Sequence, residues 1–134
     1  MATHADADLI LRFYDLRREA VMREARAWFL RWMPASGAEA KAVGSDLSRQ
    51  DNAWLRQVTS FWEMAFSIAN AGAIDKDLFA KNCGEGMLCL AKCQLLKERF
   101  PEDFQRGMPE AEAFAAGSPI AAQKLAMFRK RFGG

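Results

Sequence analysis

Apolar residues in the first quarter of the chain recur at the spacing of one face of an α-helix. Over residues 6–33 no glycine or proline interrupts the sequence, and Pro34 ends this stretch. Apolar side chains follow steps of three and four residues, while most acidic and basic side chains fall on the opposite side, as in an amphipathic helix packed on a core. We therefore predict one long N-terminal helix. Its predicted buried seam consists of Leu11, Tyr14, Arg18, Val21, Ala25, Trp28 and Trp32.

A loop and a second helix are expected to follow. Residues 34–45 are rich in Ala, Gly and Ser and lack an apolar period, which predicts a loop with at most a short helical turn over 38–43. Ser45 or Asp46 can then cap the second helix, because their side chains accept hydrogen bonds from the first free N–H groups. Gly72 is expected to end this helix, since glycine enters the left-handed region without a steric penalty.

A third helix is predicted to begin after Asp75, a natural cap, and to end before Pro101. Gly84 and Gly86 interrupt its apolar pattern, and each costs about 1 kcal/mol relative to alanine within a helix. The two glycines therefore predict either a kink or a place where another backbone comes close.

The C-terminal region carries two further helix starts. Pro109 could begin a short helix that ends at Gly117, and Ser118 followed by Pro119 is a cap with proline in the first turn. No segment shows the alternation of a β-strand. The sequence therefore predicts an all-α fold, a single domain over residues 1–134 arranged as an antiparallel bundle of about four main helices. The predicted main helices span about 6–33, 46–71, 75–99 and 118–132.

The end of the second helix and the start of the third also resemble a known pattern. Two adjacent aromatic residues and a glutamate lie on one helix, a glycine turn follows, and Ile-Asp-x-x-Leu opens the next helix. Over roughly residues 54–100 this resembles a bacterial all-helical family of unknown function. The resemblance implies a helical bundle and supplies no activity, substrate or catalytic residue. The residues that carry it are Phe61, Trp62, Glu63, Gly72, Ile74, Asp75 and Leu78, with Gly84 at a matching place.

Charge and composition exclude several classes of partner. The chain has 19 basic and 17 acidic residues, a net charge of +2, whereas a nucleic-acid-binding domain usually concentrates a basic excess on one face. No apolar run approaches the roughly 18 residues that cross a membrane. The N-terminus is acidic, unlike a signal peptide, and three cysteines do not pair into a disulfide framework. We expect a cytoplasmic protein with no nucleic-acid or membrane partner.

The cysteines are the first candidates for chemistry. Cys83, Cys89 and Cys93 fall within one sector of the third predicted helix. A structural zinc site needs four converging ligands, but the single histidine, His4, lies at the other end of the chain. Without further histidines, Glu-x-x-His di-metal sites and nucleophile–base pairs are also excluded. We expect buried thiols that behave as small apolar side chains, with no metal, no cofactor and no catalytic residue.

A second group of side chains could form a pocket or an interaction surface. Arg18 occupies a seam position, and a buried arginine needs a carboxylate partner, for which Glu63 is a candidate; alternatively, Arg18 packs its stem and keeps its head in water. The tryptophans could line a pocket or simply form the core, and we expect the two at the end of the first helix to be the more exposed pair. The candidate residues are Arg18, Trp28, Trp32, Trp62, Glu63 and Asn82.

Three functions fit these observations. The first is a small non-enzymatic interaction or regulatory protein that forms a homodimer through helix faces, because the apolar arcs of the first two helices are wider than a bundle of this size needs. The second is a bundle that binds a small apolar molecule between the tryptophan-bearing helices. The third is an enzyme that uses carboxylates and an arginine, which requires a pocket joining Arg18, Glu63 and Asn82.

Overall fold

Eight α-helices and no strand make up residues 1–133, the part of the chain that the computed structural model describes. The all-α prediction is confirmed, but eight helices replace the four main helices that the apolar pattern predicted. The helices are α1 (His4–Leu16), α2 (Ala20–Arg31), α3 (Gly37–Ser45), α4 (Gln50–Asn70), α5 (Lys76–Lys81), α6 (Gly84–Arg99), α7 (Pro109–Ala116) and α8 (Pro119–Arg131).

The prediction of one long N-terminal helix is wrong, because the chain leaves the helical conformation at residues 17–19. Glu19 adopts φ −57° and ψ 142°, and its carboxylate accepts a hydrogen bond from the Met22 N–H at 3.0 Å, so that it caps α2. As a result α1 and α2 bury different faces, and four residues of the predicted seam are exposed. The exposed seam residues are Leu11, Tyr14, Arg18 and Val21, whereas Ile10, Phe13, Met22, Ala25 and Phe29 are buried.

The segment predicted as a loop contains a full helix, α3, over residues 37–45. Ser36 caps it by accepting a hydrogen bond from the Glu39 N–H at 3.2 Å. Only two small apolar residues, Ala40 and Val43, face the core, which is too few to produce a visible period in the sequence. The expected cap at Ser45 or Asp46 is also wrong, since α4 begins at Gln50.

The turn after α4 has the predicted geometry. Gly72 lies in the left-handed region with φ 83°. Its N–H donates to the Ala69 carbonyl at 3.0 Å, and the Ala73 N–H donates to the Ile68 carbonyl at 3.2 Å, which together form a Schellman motif. Asp75 then caps α5 by accepting a hydrogen bond from the Leu78 N–H at 2.9 Å.

The predicted third helix is also divided, because α5 ends at Lys81 and α6 begins at Gly84. Gly86 lies against two aromatic rings: a Cβ atom there would come within 2.7 Å of ring atoms of Phe66 and Trp62. The helix is therefore interrupted, as expected, and what comes close at Gly86 is a pair of aromatic side chains rather than another backbone. The short helix from Pro109 is confirmed as well.

The final helix begins as predicted, with Ser118 accepting a hydrogen bond from the Ala121 N–H at 3.2 Å. All eight helices contribute to one cluster of buried apolar residues. Within it α4 contacts α2, α3, α5, α6 and α7, while α8 packs mainly along α6. No helix of residues 1–133 is both long and apolar enough to cross a membrane.

Candidate functional site: the Glu85 junction

The two helix interruptions meet at one carboxylate. Glu85 lies in the first turn of α6, directly after the second interruption, and Arg17 lies in the first interruption. Arg17 Nη2 donates to Glu85 Oε2 at 3.0 Å. Arg26, from α2, donates to the same oxygen through Nη2 at 2.7 Å and through Nε at 2.9 Å. One carboxylate therefore ties the end of α1 and the middle of α2 to the start of α6.

Aromatic side chains complete this Glu85 junction. Trp62 of α4 donates from Nε1 to Glu85 Oε1 at 3.1 Å. The Arg17 guanidinium lies 4.8 Å from the centre of the Tyr14 ring and 5.3 Å from that of Trp62, within the range of cation–π attraction. Three elements that are distant in the sequence, the α1 end, α4 and the α6 start, are thus fixed to each other through polar groups.

Asn82 connects the second interruption to α1 by a separate contact. Its Nδ2 group donates to the Leu78 carbonyl at 2.9 Å, which closes the end of α5. Its Oδ1 atom accepts a hydrogen bond of 3.4 Å from the Tyr14 hydroxyl. Tyr14 therefore contacts both the Asn82 amide and the Arg17 guanidinium, and it bridges the two interruptions.

The junction holds two positive charges against one negative charge in a half-buried setting. The Glu85 and Arg17 side chains are 11% and 12% exposed, and that of Arg26 is 25% exposed. Burial alone would raise the pKa of Glu85, but the hydrogen bonds from Arg26 and Trp62 and the charge of Arg17 outweigh it, so this pKa lies below its usual value. A carboxylate held ionised in this way suits a fixed link between helices rather than proton transfer near neutral pH.

A comparison with known proteins identifies the family. The family described as a domain of unknown function, DUF4760, matches residues 2–107. This chain belongs to the DUF4760 family. No curated protein and no solved structure matches it. The resemblance to an all-helical family of unknown function is confirmed, and the match includes α1 to α6 with the whole Glu85 junction.

Of the residues predicted from the sequence of this DUF4760 protein, only Trp62 and Asn82 belong to the junction. The predicted ion pair between Arg18 and Glu63 is wrong. Arg18 is 81% exposed, with only a distant ion pair of 4.0 Å to Asp15. Glu63 instead accepts hydrogen bonds from the Glu110 and Ala111 N–H groups at 3.0 and 2.8 Å, at the start of α7. The alternative for Arg18 agrees with the structure in that its head group lies in water, but its stem is not packed, since the whole side chain is 81% exposed.

The expected exposure of the tryptophan pair is wrong for Trp32, which is buried, whereas Trp28 is half-buried. The two rings stack with their centres 5.0 Å apart. Phe104, from the segment between α6 and α7, lies 6.1 Å from Trp32 and covers it. Trp28 also approaches Trp54 of α4, at 6.0 Å between ring centres. These tryptophans form part of the interface between α2 and α4.

The enzyme hypothesis requires a pocket that joins Arg18, Glu63 and Asn82, and these three side chains do not come together. Within residues 1–133 no hydrogen bond or ion pair joins any two of Arg18, Glu63 and Asn82, and the partners of each lie on different elements. In the same range no group of three His, Cys, Asp or Glu side chains converges as around a metal ion. The three cysteines are buried, as expected, and burial raises the pKa of the Cys83 thiol to about 11, so it is protonated at neutral pH.

The three charged residues of the junction, Arg17, Arg26 and Glu85, were not predicted from the sequence. Arg26 lies on the polar side of the predicted long helix and resembles an ordinary surface arginine, whereas Arg17 is nine residues away, so it lies on the opposite side, beside the apolar seam. Glu85 gives a further signal, because it stands between two glycines at a predicted interruption. A charged residue at such a place is close to another element of the chain and needs a partner there.

Proposed function

We propose that this protein is a non-enzymatic interaction or regulatory module that forms a homodimer through the outer faces of α1 and α2. The observation that supports this proposal is a set of large apolar side chains left in water on these two helices. Leu11 is 62% exposed, Leu16 54% and Val21 51%. Single exposed apolar residues are common, but an exposed apolar residue with a rim of charged side chains, as at Leu16, is typical of an interaction surface.

The charges around Leu16 favour a second copy of the chain as the partner. Leu16 lies in a shallow surface depression whose other lining residues are Arg12, Arg18, Asp15 and Glu19. Two positive and two negative side chains therefore surround one apolar residue. In a twofold symmetric interface the same patch faces itself, so each arginine can lie opposite a carboxylate of the other copy. A balanced patch of this kind is complementary to itself.

The test is the oligomeric state of surface variants, measured by size exclusion with light scattering over a wide concentration range. We expect the wild-type protein to be a dimer at high concentration. The double change Leu16→Asp with Val21→Asp places charges at the interface and should weaken dimerisation by at least about tenfold, because burying one leucine contributes about 1.5–3 kcal/mol. A monomeric wild-type protein, or an unchanged dimer in the double variant, would overturn the proposal.

Leu47 provides a matched control for this experiment. It is 73% exposed, more than any of the three surface residues above, but it lies in the turn between α3 and α4. Leu47→Asp should leave the dimer unchanged. Equal loss of the dimer in this variant would mean that general solubility, rather than the α1–α2 surface, controls association.

The proposal includes a location in the cytoplasm. This part is supported by the three cysteines, which are all unpaired in the structure. Disulfides are characteristic of oxidising compartments, whereas thiols persist in the reducing cytoplasm. Microscopy of a tagged protein and fractionation of the source cells would test the location, and recovery from an oxidising compartment would contradict it.

A second candidate function is the binding of a small apolar molecule beside the tryptophans. The supporting observation is a shallow depression lined by the half-buried rings of Trp28 and Trp54 together with Arg49, Gln50 and Asp51. A ligand there would contact two indole rings and should change their fluorescence. Titration with a panel of apolar metabolites, repeated on Trp54→Ala, would test this function. A ligand whose affinity is the same in both proteins would contradict binding at this place.

A further inference from the structure

The interruption between α1 and α2 is made of residues that favour a helix. Arg17, Arg18 and Glu19 occupy it, and arginine and glutamate are both good helix formers. Neither glycine nor proline lies within residues 6–33. The backbone preferences of these residues therefore favour a continuous helix, and side-chain contacts must maintain the interruption. One contact is local, the Glu19 cap on the Met22 N–H. The long-range contacts are those that Arg17 makes with Glu85 and with the Trp62 ring.

The contacts of α1 with the rest of the chain are few and clearly bounded. Its buried residues are Ile10 and Phe13, and it packs mainly on α5. Phe13 lies edge-on to Phe61 and Phe79, at 6.2 and 6.1 Å between ring centres. At the other end Asp6 accepts a hydrogen bond from the Asp75 N–H at 3.0 Å. A second copy of α1 presents the same side chains and can make every one of these contacts.

We propose that α1 is exchanged between two copies of this chain. Residues 17–19 straighten, α1 and α2 merge into one helix, and the α1 segment of each copy occupies the place on α5 of the other. The inference rests on the proposed homodimer and deepens it by naming how the two copies associate. The exchange is reciprocal and closed, as in domain swapping. In the merged helix the exposed residues Leu11, Tyr14 and Val21 fall on one continuous stripe, which the two long helices can bury against each other.

Ala20→Pro separates the two states of the hinge. In the structure Ala20 is the first residue of α2, where proline is favoured, and the preceding Glu19 has the extended ψ of 142° that proline requires. Ala20 is also exposed, so no packing is lost. In a merged helix the same proline would lie in the interior, remove a hydrogen bond and clash with the preceding turn. We expect dimerisation to weaken by at least about a hundredfold while the melting temperature of the monomer is retained.

Lys76→Pro is the matched control. Lys76 is the exposed first residue of α5, and it follows Asp75 at φ −57° and ψ 124°, nearly the conformation of Glu19. Proline is therefore introduced at an equivalent position that is not the hinge, and the dimer should persist. Glu19→Ala acts in the opposite direction, because it removes the cap of α2 and leaves a strong helix former; it should increase the fraction of dimer.

Hydrogen exchange gives a direct reading of the hinge. The first i to i−4 hydrogen bond of α2 joins the Arg23 N–H to the Glu19 carbonyl at 2.9 Å, so the amide of Ala20 precedes the helical bonds. In a merged helix this amide would donate to Leu16 and become protected. The exchange is supported if the Ala20 amide is protected from hydrogen exchange in the dimer fraction and if the dimer is lost in Ala20→Pro but not in Lys76→Pro.

The two proposals fail in different ways. A dimer that persists in Ala20→Pro but is lost in Leu16→Asp with Val21→Asp overturns the exchange and supports association through the outer surface. A wild-type protein and a Glu19→Ala variant that both remain monomeric at every concentration overturn both proposals. Circular dichroism and thermal melting of each variant identify misfolding, and if Ala20→Pro does not fold, an unchanged dimer fraction in Glu19→Ala overturns the exchange.

Discussion

Two interruptions divide helices that the apolar pattern predicts as continuous, and they have opposite causes. At residues 82–83 the chain carries its own stop signals: Asn82 turns back to the Leu78 carbonyl at 2.9 Å, and Gly84 follows. At residues 17–19 the sequence contains only good helix formers. There the one local signal is the Glu19 cap on the Met22 N–H, and the conformation depends mainly on Glu85, a residue about 70 positions further along the chain, to which Arg17 donates a hydrogen bond.

Two helix interruptions can therefore differ in whether they persist after their distant contacts are removed. An interruption encoded by neighbouring residues is expected to persist when distant contacts are removed, because the local backbone preference is unchanged. An interruption maintained by distant contacts is expected to straighten when they are lost. The two interruptions also differ in role: the one at 82–83 places Glu85 in the first turn of α6, and Glu85 in turn maintains the one at 17–19.

The largest effect is expected from Glu85→Ala. This change leaves Arg17 and Arg26 half-buried without a counter-charge, and removing one partner of a buried ion pair costs about 3–5 kcal/mol. Since the Arg26 side chain remains 25% exposed, we expect about 3 kcal/mol of lost stability, measured by chemical denaturation. The released α1–α2 segment should also gain helical content over 17–19, visible as slower amide exchange there, whereas residues 82–83 should be unaffected.

Glu98→Ala is the control for the removal of a paired glutamate. Glu98 forms a short ion pair of 2.7 Å with Arg129, but its side chain is 57% exposed. Exposed pairs contribute at most about 1 kcal/mol, so this variant should lose little stability. If Glu85→Ala and Glu98→Ala lowered the free energy of unfolding equally, the Glu85 junction would contribute no more than an ordinary surface ion pair.

A pair of glycine variants examines the second interruption. At Gly86 a Cβ atom would lie 2.7 Å from ring atoms of Phe66 and Trp62, whereas at Gly84 nothing lies within 4 Å. Gly86→Ala should therefore destabilise the fold by about 1–3 kcal/mol, because the rings must shift in a packed core. Gly84→Ala should be neutral or stabilise by up to about 1 kcal/mol. Equal melting temperatures for the two variants would contradict the close packing at Gly86.

The features that could be predicted from the sequence are those that neighbouring residues determine. Gly72 ends α4 with a positive φ of 83°, and Asp75 caps α5 through the Leu78 N–H. Ser118 caps α8 in the same way. Each signal acts over three or four residues, so that the local sequence contains both partners of the interaction. The all-α class follows from the same signals combined with the helical apolar period.

The features that could not be predicted depend on partners far along the chain. Glu63 accepts hydrogen bonds from N–H groups of Glu110 and Ala111, which no side-chain pattern reveals. Trp32 is buried because Phe104 covers it. The junction residues could not be predicted for the same reason, since a helical wheel of one long helix assigns Arg17 and Arg26 to opposite sides, from which they could not both reach Glu85. The interruption itself changes which side of each half is buried, and it exists only in the tertiary structure.

The C-terminal end of α2 is also held by a side chain of α6. Lys92 of α6 is buried, and its Nζ group donates to the Phe29 carbonyl and, at 3.3 and 2.7 Å, to the carbonyls of Leu30 and Trp32. These carbonyls belong to the last turn of α2 and its cap, where the free acceptors of a helix need partners. One helix, α6, therefore holds α2 through Glu85 near its middle and through Lys92 at its end.

The last predicted effect concerns this lysine and takes the form of a pH dependence. Burial lowers the pKa of Lys92 from 10.5 to about 8. Between these values the unfolded chain binds more protons than the folded protein, so the free energy of unfolding rises with pH across this window. The stability of the wild-type protein relative to Lys92→Met should therefore increase by about 2–3 kcal/mol from pH 7 to pH 10, measured by urea denaturation. The exposed Lys41 provides the matched change, Lys41→Met, against which no such increase is expected. A constant difference between the wild-type protein and Lys92→Met would mean that the charged amine at the end of α2 is as well stabilised by the three carbonyls as it is by water.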